Sequence, residues 1–232
     1  MDLKPPTFLA NVARAVVARL SFHRKAEEAS APRRPDYGPL LPKLDTSTWN
    51  LELLKHLEWR RFEELCVAYY ETLGLKTRIS GTGTEGGVDI VLYETRSDEP
   101  VSIARCKAWE PYRVGVKPVR ELRRAVTEAK AAEGVLLTAG RFSQEARDYA
   151  ASEGIRLIDG AALLEMIGAL PPEHAASLLR FATEGDFITP TCPLCSIKMV
   201  QRQSTKDGWK FWGCPNYPVC KKTFAGTPFA RE

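Results

Sequence analysis

Between residues 49 and 167 of the 232-residue chain, short apolar runs alternate with amphipathic stretches, and this order limits the fold more than any other feature. Residues 49–73 read as one long helix ending at Gly74, a residue suited to a left-handed cap. LKTRIS (75–80), VDIVLY (88–93) and VSIARCK (101–107) read as strands, the last two joined by a turn over 96–100. VKPVRELRRAVTEAK (116–130) has apolar residues at 119, 122, 126 and 129, a helical spacing. GVLLT (134–138) and IRLID (155–159) are strands, and Ser143 and Asp159 cap the helices that follow them. A further helix over 171–185 has proline in its first turn. The order α-β-β-β-α-β-α-β predicts an α/β domain with a mixed sheet flanked by helices.

The flanks differ from this centre. APRRPDYGPLLPKLD (31–45) holds four prolines and no period, so it reads as a linker. Residues 8–20 are amphipathic and suit either a helix packed on the domain or a surface-binding or targeting segment. The expected divisions are an N-terminal helix and linker (1–48), the α/β domain (49–169), a connecting helix (170–189) and a β-rich module (190–232). No apolar run approaches the ~20 residues of a membrane span. The net charge of +4 is unevenly spread. Residues 1–48 hold 8 basic and 5 acidic residues, 49–189 hold 18 and 22, and 190–232 hold 7 and 2. The C-terminal module is therefore the part with the charge of a nucleic-acid binder.

That module also holds four of the six cysteines, Cys192, Cys195, Cys214 and Cys220, spaced C-x2-C-x18-C-x5-C. Two close pairs of thiolates, each in a turn, suit tetrahedral Zn²⁺, and a module this small needs a metal to fold. KMVQRQ and GWKFWG read as two short strands between the pairs. The absence of a recognisable secretory leader agrees with a reducing, cytoplasmic setting.

In the hairpin, a turn centred near 97–98 would set Asp89 opposite Lys107 and Val91 opposite Arg105. Asp89, Arg105 and Lys107 then share one face, with Ile90 and Cys106 on the other. On the first helix, Trp59, Phe62, Cys66, Tyr69, Tyr70 and Leu73 form an apolar stripe, which Glu63 flanks while Glu64 faces water. Glycines 83, 86 and 87 of GTGTEGG allow close approach to Asp89. Two carboxylates and a lysine suit Mg²⁺-assisted phosphodiester hydrolysis: the carboxylates hold the cation, and lysine orients water or stabilises charge on phosphorus. The same residues equally suit a plain Asp–Lys cross-strand pair.

WRRFEELCVAYYETLG, GTEGGVDIVLY, SIARCKAW, VKPVREL, GVLLTAGRFSQEARDYA and IRLIDGAALLEMI occur in the order found in Mrr-like restriction endonucleases of the PD-(D/E)xK superfamily, which residues 50–168 resemble. The resemblance implies a restriction-endonuclease-like fold and Mg²⁺-dependent DNA cleavage. It assigns Asp89 and Glu63 as magnesium-binding carboxylates and Lys107 as the catalytic lysine, with Glu85 as a weaker candidate. One position departs: Arg105 stands where the family has glutamine or glutamate. A guanidinium has no acceptor atom and would repel the metal. Three outcomes stay open. The domain binds DNA without cutting it, Arg105 binds the scissile phosphate, or Arg105 pairs with Glu63 in the absence of metal.

CPLC, KMVQR and FWGCPNYPVCKKTF resemble the four-cysteine zinc finger of bacterial type I topoisomerases, except that Ser196 replaces the usual glycine after the second cysteine. The resemblance implies DNA binding, often to single strands. Aromatic residues interleaved with cations fit stacking on bases and neutralisation of phosphate. Candidate contacts are Lys198, Arg202, Trp209, Lys210, Tyr217, Lys221 and Lys222, with Arg120 and Arg124 on the helix of the larger domain. Trp209 and Tyr217 are expected to be exposed ahead of Trp212. The whole reads as a DNA nuclease tethered by a zinc ribbon, associated with the nucleoid and compatible with a dimer. A DNA-binding protein without activity and an interaction scaffold are the alternatives.

Overall fold

The computed structural model describes residues 44–80, 89–108, 113–206 and 208–225. Helices α1 (Leu51–His56) and α2 (Trp59–Thr72) precede strands β1 (Lys76–Ser80), β2 (Asp89–Tyr93) and β3 (Pro100–Cys106). Then come α3 (Val116–Ala129), β4 (Glu133–Leu137), α4 (Gln144–Glu153), β5 (Ile155–Ile158), α5 (Gly160–Gly168) and α6 (Pro172–Thr183). The five strands lie in sequence order, antiparallel from β1 to β3 and parallel from β3 to β5. The parallel pairs need crossovers, and α3 and α4 supply them.

The two-residue period of the strands sorts the core into two layers. Ile90, Leu92, Ala104, Cys106, Val135 and Leu137 pack with α1, α2, α5 and α6. Ile103 and Leu136 pack on the other side against Val119, Leu122 and Val126 of α3 and Ala146 of α4. Gly160 opens α5 where it meets the end of β4: a Cβ there would lie 2.3 Å from the Ala139 carbonyl oxygen. No described helix is long and apolar enough to cross a membrane.

The long first helix expected over 49–73 is in fact two helices. Leu57 (φ −61°, ψ 128°) and Glu58 (φ −61°, ψ 155°) are extended and break it. No glycine or proline marks the break. It comes from tertiary bonding: the Glu58 N–H donates to the Phe187 carbonyl at 2.8 Å, and its carboxylate caps α2 by accepting from the Arg60 N–H at 3.2 Å. The C-terminal region forms a three-stranded antiparallel sheet of β6 (Val200–Gln203), β7 (Lys210–Gly213) and β8 (Thr223–Ala225). The expected two strands are β6 and β7. β8 is too short to show a period.

Candidate active site and metal centre

The β2–β3 register differs from expectation by two residues. Asp89 stands opposite Arg105, and Val91 opposite Ile103. The turn is closed by the Ser97 N–H on the Glu94 carbonyl at 3.1 Å, and a bulge at Leu92/Tyr93 sets Tyr93 against Pro100. The centre of the hairpin therefore falls one residue earlier than the expected pairing required. A shift of two preserves the faces, so Asp89 and Arg105 still share one side of the sheet.

They are in direct contact. Arg105 Nε donates to Asp89 Oδ1 at 2.6 Å and Nη2 to Oδ2 at 2.7 Å, a two-pronged charge-assisted pair. The third guanidinium nitrogen lies 3.5 Å from Oε2 of Glu121, on α3. Burial works against the Arg105 charge, but the Asp89 bonds and the charges of Asp89 and Glu121 outweigh it, so the guanidinium is held more firmly protonated than usual. The expected fallback partner of Arg105 was Glu63; the acids found here are Asp89 and Glu121. Glu121 was missed. The signal for it was a cation on a half-buried strand, which needs an acid from the facing layer, and Glu121 sits between the buried Val119 and Leu122 on that layer.

Lys107 follows Arg105 by two positions. Its N–H donates to the Leu137 carbonyl at 2.8 Å and its carbonyl accepts from Thr138 Oγ1 at 2.9 Å, so pairing with β4 continues past Cys106. Glu63 is buried on α2, in the layer across the sheet. The Cys106 thiol is pushed well above its usual value by a hydrogen bond with Cys66 and by burial, with smaller contributions from the charges of Cys66, Glu63 and Asp89. Asp89 thus lies on the α3 side of the sheet and Glu63 on the α2 side, and the charges of both carboxylates bear on the thiol between them. Their oxygens are hard donors of the kind magnesium takes. Glu85 and glycines 83, 86 and 87 lie outside the described residues.

Arg120 lies 3.6 Å from Glu145 Oε1, with its guanidinium 5.4 Å from the centre of the Tyr149 ring. Arg120, Arg123, Arg124, Thr127, Glu128 and Tyr149 line a shallow depression between α3 and α4.

In the ribbon, the sulfurs of Cys192, Cys195, Cys214 and Cys220 all lie within 4.8 Å of one another. Cys192 and Cys220 are 3.8 Å apart. Ligands about 2.3 Å from one zinc stand about 3.8 Å apart in a tetrahedron, whereas a disulfide needs about 2.05 Å. The four thiols thus fit a zinc ion. The first turn closes by the Ser196 N–H on the Cys192 carbonyl at 2.8 Å, and Ser196 has φ +55°. That left-handed backbone explains why glycine is usual here. The second turn closes by the Cys220 N–H on the Asn216 carbonyl at 2.9 Å.

Trp209 is 46% and Tyr217 62% exposed, while Trp212 packs beside the buried cysteines and Met199, so the expected order of exposure holds. Arg202 lies over the Tyr217 ring at 5.7 Å and Lys222 over Phe224 at 5.5 Å. Lys210 and Lys221 are exposed. Lys198 is turned instead to the α/β domain, where its Nζ donates to Glu58 Oε1 at 3.1 Å. Glu58 is a second residue the sequence reading missed.

Residues 54–167 match the family model described as a restriction endonuclease, of the Mrr catalytic type, and residues 189–225 match that of the topoisomerase DNA binding C4 zinc finger. The chain is 31% identical over 124 residues to the type IV methyl-directed restriction enzyme EcoKMrr of Escherichia coli strain K12, covering 50% of this chain and 40% of that enzyme. It therefore spans less than half the length of that relative. Among solved structures, the DNA modification-dependent restriction endonuclease AspBHI is 15% identical, with a TM-score of 0.37, over 64% of this chain and 43% of that one. The MspJI restriction endonuclease in complex with a 27-mer oligonucleotide is 12% identical, with a TM-score of 0.32, over 82% and 40%. With its mixed five-stranded sheet between helices and its four clustered thiols, the chain carries a restriction-endonuclease domain of the Mrr catalytic type over residues 54–167 and a zinc ribbon of the topoisomerase C4 type over 189–225.

Proposed function

We propose that the protein is a DNA endonuclease that hydrolyses phosphodiester bonds with magnesium and binds DNA through its zinc ribbon. The observation that carries this reading is the pairing of Asp89 with Arg105 across β2 and β3, with Lys107 just past the end of β3, in a domain that matches the Mrr-type family model. Asp89 and Glu63 would hold the cation. Magnesium, when bound, polarises a phosphoryl oxygen and lowers the pKa of a water. Lys107 orients that water and stabilises the charge that builds on phosphorus. Arg105 leaves Asp89 for the scissile phosphate, which offers it equal or better bidentate pairing, and Glu121 holds the other side of the guanidinium during the exchange. Exposed Trp209 and Tyr217 suit stacking on unpaired bases, and Arg202, Lys210, Lys221 and Lys222 suit the backbone. This combination favours DNA with single-stranded or unwound regions. Cutting both strands needs two sites, hence a dimer on DNA in the nucleoid.

One observation favours a second reading. Both Asp89 oxygens already accept from Arg105, so a domain that binds DNA without cutting is the alternative. Incubating purified protein with methylated and unmethylated plasmid in Mg²⁺ or Mn²⁺ separates the two. Nicking or cutting that Lys107→Ala abolishes supports the nuclease. DNA binding with no cleavage of either plasmid supports the alternative.

A further inference from the structure

The ribbon is joined to the nuclease domain by more than a connecting chain. Glu58 has a side chain only 3% exposed and sits at the junction. Its carboxylate accepts from the Thr191 N–H at 3.2 Å, Thr191 Oγ1 at 2.8 Å and Lys198 Nζ at 3.1 Å. The same carboxylate caps α2 through the Arg60 N–H. Beside it, Trp59 Nε1 donates to the Thr191 carbonyl at 2.8 Å. Thr191 and Lys198 bridge each other across the base of the first zinc turn, and Thr191 immediately precedes the ligand Cys192. The segment between α6 and the ribbon has little slack, since Asp186 Oδ1 accepts from the Ile188 N–H at 3.4 Å and the Thr189 N–H at 2.9 Å.

A carboxylate this buried needs its donors, because losing them leaves a desolvated charge. Three of the four donors to Glu58 belong to the base of the zinc turn, and that base is held in place by a metal that binds only the folded ribbon. The fourth is the first turn of α2, the helix that also carries Glu63. We infer that Glu58 is a positioning residue that couples zinc occupancy of the ribbon to the order of α2, making ribbon and nuclease domain one body. Coupling of this kind is reciprocal: what zinc gives to α2, α2 returns as zinc affinity. Under the function proposed above, on which this consequence rests, the ribbon sets a fixed offset between the bound strand and the cutting site.

The test is amide hydrogen exchange over residues 58–66 in the full chain, zinc-loaded and after removal of zinc with a chelator. It is run on wild type and on a Thr191→Val, Lys198→Met variant, which leaves Glu58 and its cap of α2 in place. Zinc content is measured for each. In wild type, zinc removal is expected to speed exchange in this segment at least tenfold. The zinc-loaded variant, which keeps only the Thr191 backbone contacts to Glu58 and Trp59, is expected to exchange faster than zinc-loaded wild type and to respond less to zinc removal. Exchange in wild type that ignores zinc would overturn the inference, as would a zinc-loaded variant that keeps the full response. The wild-type arm decides alone if the variant holds less than one zinc per chain. A protein that shows the zinc response but cuts no DNA would overturn the nuclease reading and leave the coupling standing.

Discussion

Arg105 grips Asp89 across the β2–β3 ladder with two short hydrogen bonds, at 2.6 and 2.7 Å. The residue expected to hold a metal is thereby paired with the one residue that departs from the family pattern. The pair is mostly buried, with Glu121 as a further acid on the guanidinium. A cation approaching Asp89 must displace or outcompete a guanidinium, and a phosphate approaching Arg105 must do the same to a carboxylate. Metal and phosphate arriving together satisfy both.

It follows that Arg105→Gln should separate the two tasks. Removing the guanidinium frees Asp89, and Mn²⁺ affinity measured by calorimetry without DNA should rise at least tenfold. DNA affinity should fall in the same variant. The metal-free protein should lose about 1–3 kcal/mol in denaturant unfolding, since a half-buried carboxylate loses its partner. Unchanged Mn²⁺ affinity would mean the fork does not compete with metal.

Ser196 should be improved upon. Its φ of +55° costs a side chain about 1–2 kcal/mol that glycine does not pay. Ser196→Gly should therefore raise the midpoint of thermal unfolding of the zinc-loaded protein, or resist chelators longer. A drop in either would contradict the strained-turn account.

The glycine at the start of α5 should tolerate nothing larger. Its Cβ would meet a backbone oxygen at 2.3 Å, which cannot rotate away as a side chain can. Gly160→Ala should cost about 1–3 kcal/mol in equilibrium unfolding, the usual range for overpacking. A neutral result would show that α5 shifts freely on β4.

On the ribbon, Trp209→Ala and Tyr217→Ala should each weaken single-stranded DNA binding by about 1–3 kcal/mol, read as a shift in Kd by fluorescence anisotropy. Tyr217 also carries Arg202 on its face, so its loss should reduce the salt dependence as well. Lys198→Met should change affinity least among the ribbon cations, because its charge is spent on Glu58.

What could be read from the sequence follows what is local. Strand and helix periods located β1–β5 and α3–α6 to within a few residues, and the cysteine spacing located the metal centre. The break at Leu57–Glu58 could not be read, because Phe187 and Thr191, which fix it, lie over a hundred residues away. The hairpin register was off by two because it hung on one turn hydrogen bond and one bulge. The faces were still right, because sidedness has a period of two. Glu121 and Glu58 were missed for one reason: each matters through a partner that only the fold supplies.

The central claim is that this Mrr-type site cuts DNA with Arg105 serving as a phosphate clamp. The most direct measurement is single-turnover cleavage of end-labelled duplexes, methylated and unmethylated, in Mg²⁺ by wild type, Lys107→Ala and Arg105→Gln. The account predicts cleavage of at least one duplex by wild type, loss of at least a hundredfold in Lys107→Ala, and weaker DNA binding with slower cutting in Arg105→Gln. No cleavage by wild type, together with activity appearing in Arg105→Gln, would contradict it and make Arg105 the residue that silenced the site.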